Sequence, residues 1–263
     1  MAGLRVRPSA GNPVGFSLSF LVKKLLFLLP LLGLAAPAAA QRTEIIGRAG
    51  LGLLGFGGSS AEGTSFVNYS NNFGEPNGYT NNAYSSRFGT GATLGVRAQH
   101  VGQKNGLAAF DLGYEWLRSR TTITQLYYAP AGISSFRGAY SADGSTHLAN
   151  QNVTAFLGLG HRFQVGTIEL DALAGPEVAC VFGFREKGSG SYNGNFSWTT
   201  DQRDRADNRF DARLRADATA WYHRVGLNAS YSHGFINYLG NLKGGSPEAY
   251  ARILRLGLAY RLR

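Results

Sequence analysis

Apolar and polar residues alternate with period two along much of this chain, which is the pattern of β-strands that have one apolar and one polar face. Between residues 210 and 220, one face holds Phe210, Leu214 and alanines, while aspartates and arginines occupy the other. The stretch 153–178 repeats the pattern as two strands around a very short link, which predicts a hairpin. No helical period of useful length follows residue 40, so the alternation predicts an all-β protein.

The alternation predicts eight strands, near residues 45–56, 87–101, 108–116, 153–163, 167–178, 210–220, 225–232 and 254–260. Short turns separate some neighbours, whereas the segments 57–86, 119–150, 184–206 and 233–248 are long, polar and rich in loop-forming residues. Long and short connections therefore alternate along the chain. This order predicts an eight-stranded antiparallel up-and-down barrel with four long loops at one end.

Period two alone leaves open which face points into the barrel. An apolar interior would make a soluble lipocalin-like carrier, whereas an apolar exterior would make a transmembrane β-barrel. Long loops at one end and aromatic residues near strand ends favour the transmembrane barrel, because aromatic rings prefer the membrane interfaces. Phe184 follows the same alternation and is assigned to the outer face. The predicted aromatic girdles contain Phe88, Tyr114, Trp116, Phe182, Phe210 and Tyr231 at the loop end, and Phe163, Tyr222 and Tyr260 at the turn end.

Charged residues and glycines share the opposite face, which would then line a narrow interior. Charges in such an interior need partners, and both signs are present. The predicted interior network contains Arg48, Arg97, Asp111, Glu115, Glu169, Asp171, Glu177, Asp211, Arg213, Arg215, Asp217 and Arg255. The favoured interpretation is a filled interior that is closed to solute, and the alternative is a gated pathway or a catalytic carboxylate cluster.

The first forty residues predict a cleaved signal peptide, because four basic residues and no acid precede the apolar run 25–34 and the small-residue stretch 35–40. We therefore expect a signal peptide at 1–40 and one outer-membrane barrel domain at 41–263. The 263 residues include 26 basic and 16 acidic residues, a net charge of +10, which becomes +6 without the four basic residues of the signal. These charges alternate with apolar residues instead of clustering, so no nucleic-acid partner is predicted.

Four short motifs give a resemblance to a known family. They are Gly50-Leu51-Gly52-Leu53, Leu173-Ala174-Gly175-Pro176, Tyr231-Ser232-His233-Gly234-Phe235-Ile236-Asn237 and Leu256-Gly257-Leu258-Ala259-Tyr260. On these motifs the chain resembles the PorT-like outer-membrane β-barrel family. The resemblance implies an eight-stranded barrel in the Gram-negative cell envelope. It also implies that most relatives have no assigned activity, while a few take part in protein secretion and gliding.

A lipid A-modifying enzyme is a second alternative, since some eight-stranded outer-membrane barrels carry Ser, His and an acid on the barrel wall. Ser232 and His233 are adjacent and point to opposite faces of a strand, so they would meet only through a bulge. We therefore predict no enzyme and no cofactor. We also predict no metal site, because His100 and His161 lack an evident third ligand. Pro176 removes one ladder donor and predicts a bulge in the fifth strand.

The expected location is the outer membrane, with a structural or surface-recognition role. The expected partners are membrane lipid and lipopolysaccharide, the outer-membrane insertion machinery and an envelope or secretion partner protein. In the third long loop, Arg203 and Arg205 are expected to contact lipopolysaccharide phosphates. The Asn- and Tyr-rich first loop is interpreted as a hydrophilic surface loop, with a recognition surface as the alternative.

Overall fold

β-strands make up most of the folded chain. The computed structural model describes residues 42–72, 75–128, 138–203, 209–240 and 246–262. Within these ranges no helix is long and apolar enough to cross a membrane. The predicted signal peptide at 1–40 and the loop residue Arg205 lie outside the described residues. The strands are β1 (Arg42–Gly57), β2 (Thr64–Asn72), β3 (Glu75–Thr80), β4 (Gly89–Val101), β5 (Gly106–Tyr128), β6 (Gly138–Val165), β7 (Ile168–Tyr192), β8 (Phe196–Arg203), β9 (Phe210–Tyr222), β10 (Val225–Gly234) and β11 (Tyr250–Arg261).

Eight of these strands close into a ring, which we call the barrel. β1 pairs with β4 and with β11, and the ring continues through β5, β6, β7, β9 and β10, with every pair antiparallel. Short turns join β4 to β5, β6 to β7 and β9 to β10 at one end, where Asn105 and Gly166 have φ of 58° and 62°. The predicted all-β antiparallel barrel is confirmed.

The predicted count of eight strands is wrong for the chain, because the described residues form eleven. The three additional strands β2, β3 and β8 lie in the segments 57–86 and 184–206, which the sequence predicts as loops. In the predicted loop 119–150, β5 and β6 continue as one antiparallel pair as far as Tyr128 and Gly138. These segments contain few apolar residues, so their strands depend on backbone pairing with long neighbours and show little alternation.

The additional strands build a second, smaller ring beyond the barrel. β2 runs parallel to β5, β8 runs antiparallel to β7, and β3 joins β2 to β8 through the bridge between Gly78 and Thr200. We call residues 64–72, 75–80, 119–128, 138–150 and 184–203 the extension. Its buried apolar core consists of Val67, Tyr69, Ile123, Leu126, Ala142 and Trp198.

A β-bulge in β7 marks the boundary between the barrel and the extension. The register of β6 and β7 shifts at this point, and Phe182 has no partner on β6. Because one extra residue reverses the alternation, Phe182 is 49% exposed while Phe184 is only 6% exposed. The assignment of Phe184 to the outer face is therefore wrong. The bulge predicted at Pro176 is also wrong, since β7 and β9 keep one register across it.

Apolar side chains close the loop end of the barrel. This mouth cluster includes Leu54, Phe56, Leu117, Leu148, Phe184, Tyr238 and Ile253, all buried. The Tyr238 ring lies 5.5 Å from the Phe56 ring, and its hydroxyl donates a hydrogen bond to Asp211 at 3.1 Å. The mouth cluster therefore separates the charged barrel interior from the extension.

Two glycines permit close approach of the barrel strands. A Cβ atom at Gly160 would lie 1.8 Å from the Ala172 carbonyl oxygen, and one at Gly175 would lie 1.9 Å from the Leu157 carbonyl oxygen. Only glycine tolerates this geometry, which is typical of the strand bends that close barrels.

Candidate functional site

Ionised side chains line the barrel interior. All twelve residues of the predicted network lie on inward positions of their strands, and each forms at least one ion pair inside the barrel. Their side chains are nearly all buried. The most exposed is Glu169 near the turn end, at 23%. Inward positions recur at every second residue of a strand, so the six strands β1, β4, β5, β7, β9 and β11 together supply these side chains.

Two aspartates and three arginines occupy the middle of the interior. Arg97 bridges the carboxylates, with its guanidinium nitrogens 3.1 Å from Asp111 and 2.9 Å from Asp217. Arg48 contacts both of the same carboxylates, and Arg215 pairs with Asp217. Each carboxylate thus faces several cations, which offsets the cost of taking the charges out of water.

A second cluster lies towards the loop end of the interior. The Glu177 carboxylate is 3.3 Å from Arg213, 3.3 Å from Arg215 and 2.9 Å from Arg255. Glu115 pairs with Arg213 and Arg255 as well, so two arginines bridge two glutamates. Arg215 joins this cluster to the central one. Removing any one member would leave buried charges without compensation.

A third cluster, at the turn end, includes residues that the sequence analysis missed. Arg162 bridges Glu44 at 2.8 Å and Asp171 at 2.6 Å, and Arg261 pairs with Glu44 at 3.4 Å. Trp221 donates a hydrogen bond from its indole nitrogen to Asp171 at 2.8 Å. Glu44 lies one residue before the predicted start of the first strand. The alternation itself could have identified Arg162, because it follows Phe156, Gly158 and Gly160 on one face.

The interior is filled and nearly balanced in charge. Among the described residues it holds eight carboxylates and seven guanidinium groups, apart from the rim residue Arg42. The cavity bordered by Arg48, Gly95, Gly113 and Arg215 measures about 30 Å³, which is space for one water molecule. In the described part of the chain, ion pairs therefore occupy the space that an apolar cavity would fill in a soluble carrier.

The Ser and His residues considered for catalysis do not meet. Ser232 is fully buried, and its hydroxyl accepts a hydrogen bond from Arg255 at 2.6 Å. His233 lies on the opposite face of β10, beside the Arg252 guanidinium. The pair therefore lacks the contact that a nucleophile and its base require.

The outer wall of the barrel is apolar. Leu, Val and Ala side chains cover its middle, including Leu94, Leu112, Leu157, Leu214 and Leu256, each at least half exposed. All nine residues of the predicted girdles lie on this wall, with exposures from 40% at Tyr231 to 61% at Tyr222. Phe182 packs against Tyr114 with ring centroids 6.0 Å apart. The wall thus presents an apolar belt with aromatic rings near strand ends.

The polarity of the two faces inverts along β5 just beyond the loop-end girdle. In the barrel part of β5, Leu112 and Trp116 face outward while Asp111 faces inward. In the extension, Arg120 faces outward and Ile123 inward, with Ile123 fully buried. A water-soluble protein has its apolar face inside, so only the extension shows the ordinary arrangement.

No family model matches the chain, and no curated protein matches it, so membership of the PorT-like family is not confirmed. The solved structures that match include Neisserial surface protein A (NspA), with 12% identity and a TM-score of 0.34 over 85% of this chain and 99% of that chain. Two structures of Ail, the attachment invasion locus protein of Yersinia pestis, one in complex with the heparin analogue sucrose octasulfate, have 12% and 13% identity and TM-scores of 0.33 and 0.30. Each covers 84% of this chain and 98% of its own.

Proposed function

We propose that this chain is an integral outer-membrane protein with a structural or surface-recognition role. The inversion of polarity along β5 carries the proposal. An outward apolar belt is costly in water and favourable in lipid, whereas the outward polar face of the extension suits water. The boundary between the two coincides with Trp116, a residue type that prefers membrane interfaces.

The filled interior supports a scaffold role instead of a channel or an enzyme. Buried ion pairs occupy the barrel, and the mouth cluster closes its loop end. The paired charges also allow arginines and carboxylates to fill a barrel whose hydrophobic surface is on the outside. In this proposal the barrel anchors the extension and holds it above the membrane surface.

The extension is the proposed recognition surface. Tyr128 and Tyr192 pack over the buried Tyr69, with ring centroids 6.2 and 6.3 Å from it, and Tyr140 lies 5.9 Å from Tyr192. The exposed Phe196 ring stacks on Tyr192 at 5.5 Å. Tyrosines provide contact area with little loss of side-chain entropy, which suits protein recognition. An envelope or secretion protein is the proposed partner class. Because strands support these rings, the surface is preorganised.

Cell fractionation tests the location, followed by SDS gel electrophoresis of boiled and unboiled samples. We expect recovery with the outer membrane and a heat-dependent change of mobility, because a closed strand ladder resists SDS until it is heated. Mass spectrometry of the recovered protein should give Gln41 as its first residue if 1–40 is a cleaved signal. Depletion of the outer-membrane insertion machinery should abolish the folded band. A soluble periplasmic protein without a mobility shift would contradict the proposal.

A further inference from the structure

A basic patch covers the outer wall where the barrel meets the extension. Two rows of cross-strand neighbours form it: Arg118, Ala149, Arg185 and Arg203 in one, and Arg120, His147, Lys187 and Asp201 in the other. Most of these side chains are exposed, and they contribute five cations and one carboxylate. We call the side chains of Arg118, Arg120, His147, Arg185, Lys187 and Arg203 the basic patch.

The basic patch begins immediately above the loop-end girdle. Arg118 follows Trp116 on the outward face of β5, so the first row lies about 7 Å beyond the tryptophan along the strand. The Arg118 guanidinium lies over the Trp116 ring, 4.4 Å from its centroid. This cation therefore points back towards the apolar belt and is at the height of lipid headgroups.

The charges of the basic patch are mostly uncompensated. Asp201 accepts two hydrogen bonds from Arg185 at 2.7 Å and lies 3.6 Å from Lys187. Arg118, Arg120 and Arg203 form no ion pair with another residue in the described ranges, so the net charge is about +4. Like charges on neighbouring strands repel each other unless an anion lies between them.

The patch is confined to one side of the molecule. On the other side, β9 begins at Phe210 and β10 ends at Gly234, so the sheet does not continue beyond the girdle there. On the patch side, β5, β6 and β7 form a continuous wall from the apolar belt to the cations, and β8 pairs with β7 at the height of the patch. A lipid whose acyl chains lie on the belt would have its headgroup beside the patch.

We propose that the basic patch binds the phosphate groups of lipopolysaccharide lipid A in the outer leaflet. The inference rests on the proposed function and gives it a site and a ligand. Guanidinium groups match phosphate oxygens with two parallel hydrogen bonds, and three arginines here have no described carboxylate partner. Continuity with the apolar belt favours a phosphorylated lipid over a soluble polyanion, which would gain nothing from the belt.

Lipid A binding tests the proposal. Full-length protein folded in detergent is titrated with lipid A, and native mass spectrometry measures the bound fraction. The arms are phosphorylated lipid A, dephosphorylated lipid A with the same acyl chains, and inorganic phosphate as a competitor. We expect dephosphorylated lipid A to bind at least tenfold more weakly, and millimolar inorganic phosphate to leave lipid A bound. Displacement by inorganic phosphate would overturn the assignment to a lipid.

A pair of matched variants locates the site. R118Q/R120Q removes two charges from the basic patch, and K104Q/R224Q removes two exposed charges from turns at the opposite end. We expect the first variant to lose lipid A affinity by about tenfold or more and the second to bind as the unaltered protein. Equal affinity in the two variants would overturn the proposal.

The heat-dependent gel shift distinguishes failure of the proposed lipid A site from failure of the proposed membrane barrel. If the unaltered protein shows the shift but no preference for phosphorylated lipid A, the patch is disproved and the membrane barrel stands. Absence of the shift in the unaltered protein, with recovery in the soluble fraction, disproves the membrane barrel itself.

Discussion

The barrel and the extension share strands but are built in opposite ways. In the barrel, β5 and β7 place apolar side chains outside and charges such as Asp111 and Glu177 inside. In the extension, the same two strands place Arg120 and Lys187 outside and Ile123 and Phe184 inside. The environment beyond the wall explains the difference, because the outer face of a sheet must suit its solvent.

The change takes place by different routes in the two strands. Along β5 the alternation continues without interruption from Asp111 to Leu117, and the residue types simply change at the girdle. Along β7 the bulge at Phe182 also reverses which positions face inward. The comparison shows that a single strand can serve two environments, provided that its outward residues change at the boundary.

Breaking an ion pair in the barrel should lower the free energy of unfolding of the barrel more than any other change considered below. In Glu177→Ala, Arg213, Arg215 and Arg255 lose a shared buried carboxylate, so the free energy of unfolding should fall by about 3–5 kcal/mol. Urea titration of the protein folded in vesicles measures it. The control is Glu62→Ala, an exposed acid that should change stability by no more than about 0.5 kcal/mol. A small effect of Glu177→Ala would argue against an obligatory charge network.

Truncating the apolar core of the extension should damage that region alone. Trp198 is 1% exposed, so Trp198→Ala should destabilise the extension by about 3–5 kcal/mol. We expect faster proteolysis within residues 184–203 and an unchanged heat-dependent gel shift. Phe196→Ala on the same strand removes a 56% exposed ring and should leave proteolysis nearly unchanged. Loss of the gel shift in Trp198→Ala would show that the two regions unfold together.

Placing a charge on the two outer faces tests their environments directly. Leu112 lies in the middle of the apolar belt, so Leu112→Arg should destabilise the barrel by about 2–4 kcal/mol in vesicles. Ser189→Arg, on an exposed position of β7 in the extension, should change stability by less than about 0.5 kcal/mol. The same urea titration compares the two variants. Equal effects would mean that both faces contact water.

The smallest expected effect is a pH dependence of lipid binding at His147. Burial and the neighbouring Arg120 and Arg118 hold the pKa of His147 below its usual value of 6.5, so the ring is neutral at pH 7. A bound phosphate favours the protonated ring and raises this pKa. Lipid A affinity should therefore increase by up to about fivefold between pH 7.5 and 5, relative to H147Q measured in parallel. The same profile in both proteins would exclude His147 from the patch.

Among the described charged groups in and beside the basic patch, only His147 changes its charge between pH 7.5 and 5. Hydrogen bonds from Arg185 hold the pKa of Asp201 at about 2, so Asp201 stays ionised from pH 7.5 to 5. Any change of charge within the patch over this range therefore arises at His147, since the remaining groups are arginines and a lysine.

Local alternation accounts for what could be predicted from residues alone. Each strand of the barrel has apolar residues at every second position. The alternation alone therefore shows that Asp211, Arg213 and Arg215 share one face of their strand. The same alternation assigned Phe184 to the wrong face. A bulge is defined by the pairing of two strands, so the sequence of one strand does not reveal it. The interior pair of Glu44 and Arg162 was missed, although the alternation along the strand places Arg162 on the inward face.

By itself, the sequence determined an all-β chain with one apolar and one polar face in each barrel strand, because the period of a strand is local. Only the tertiary structure decided that β2, β3 and β8 exist and that they close a second ring. Val67, Ile123, Leu126 and Trp198 come from segments far apart in the chain, so no local window contains an apolar face. Their burial depends on non-local strand pairing, and the same pairing brings the cations of β5, β7 and β8 together above the belt.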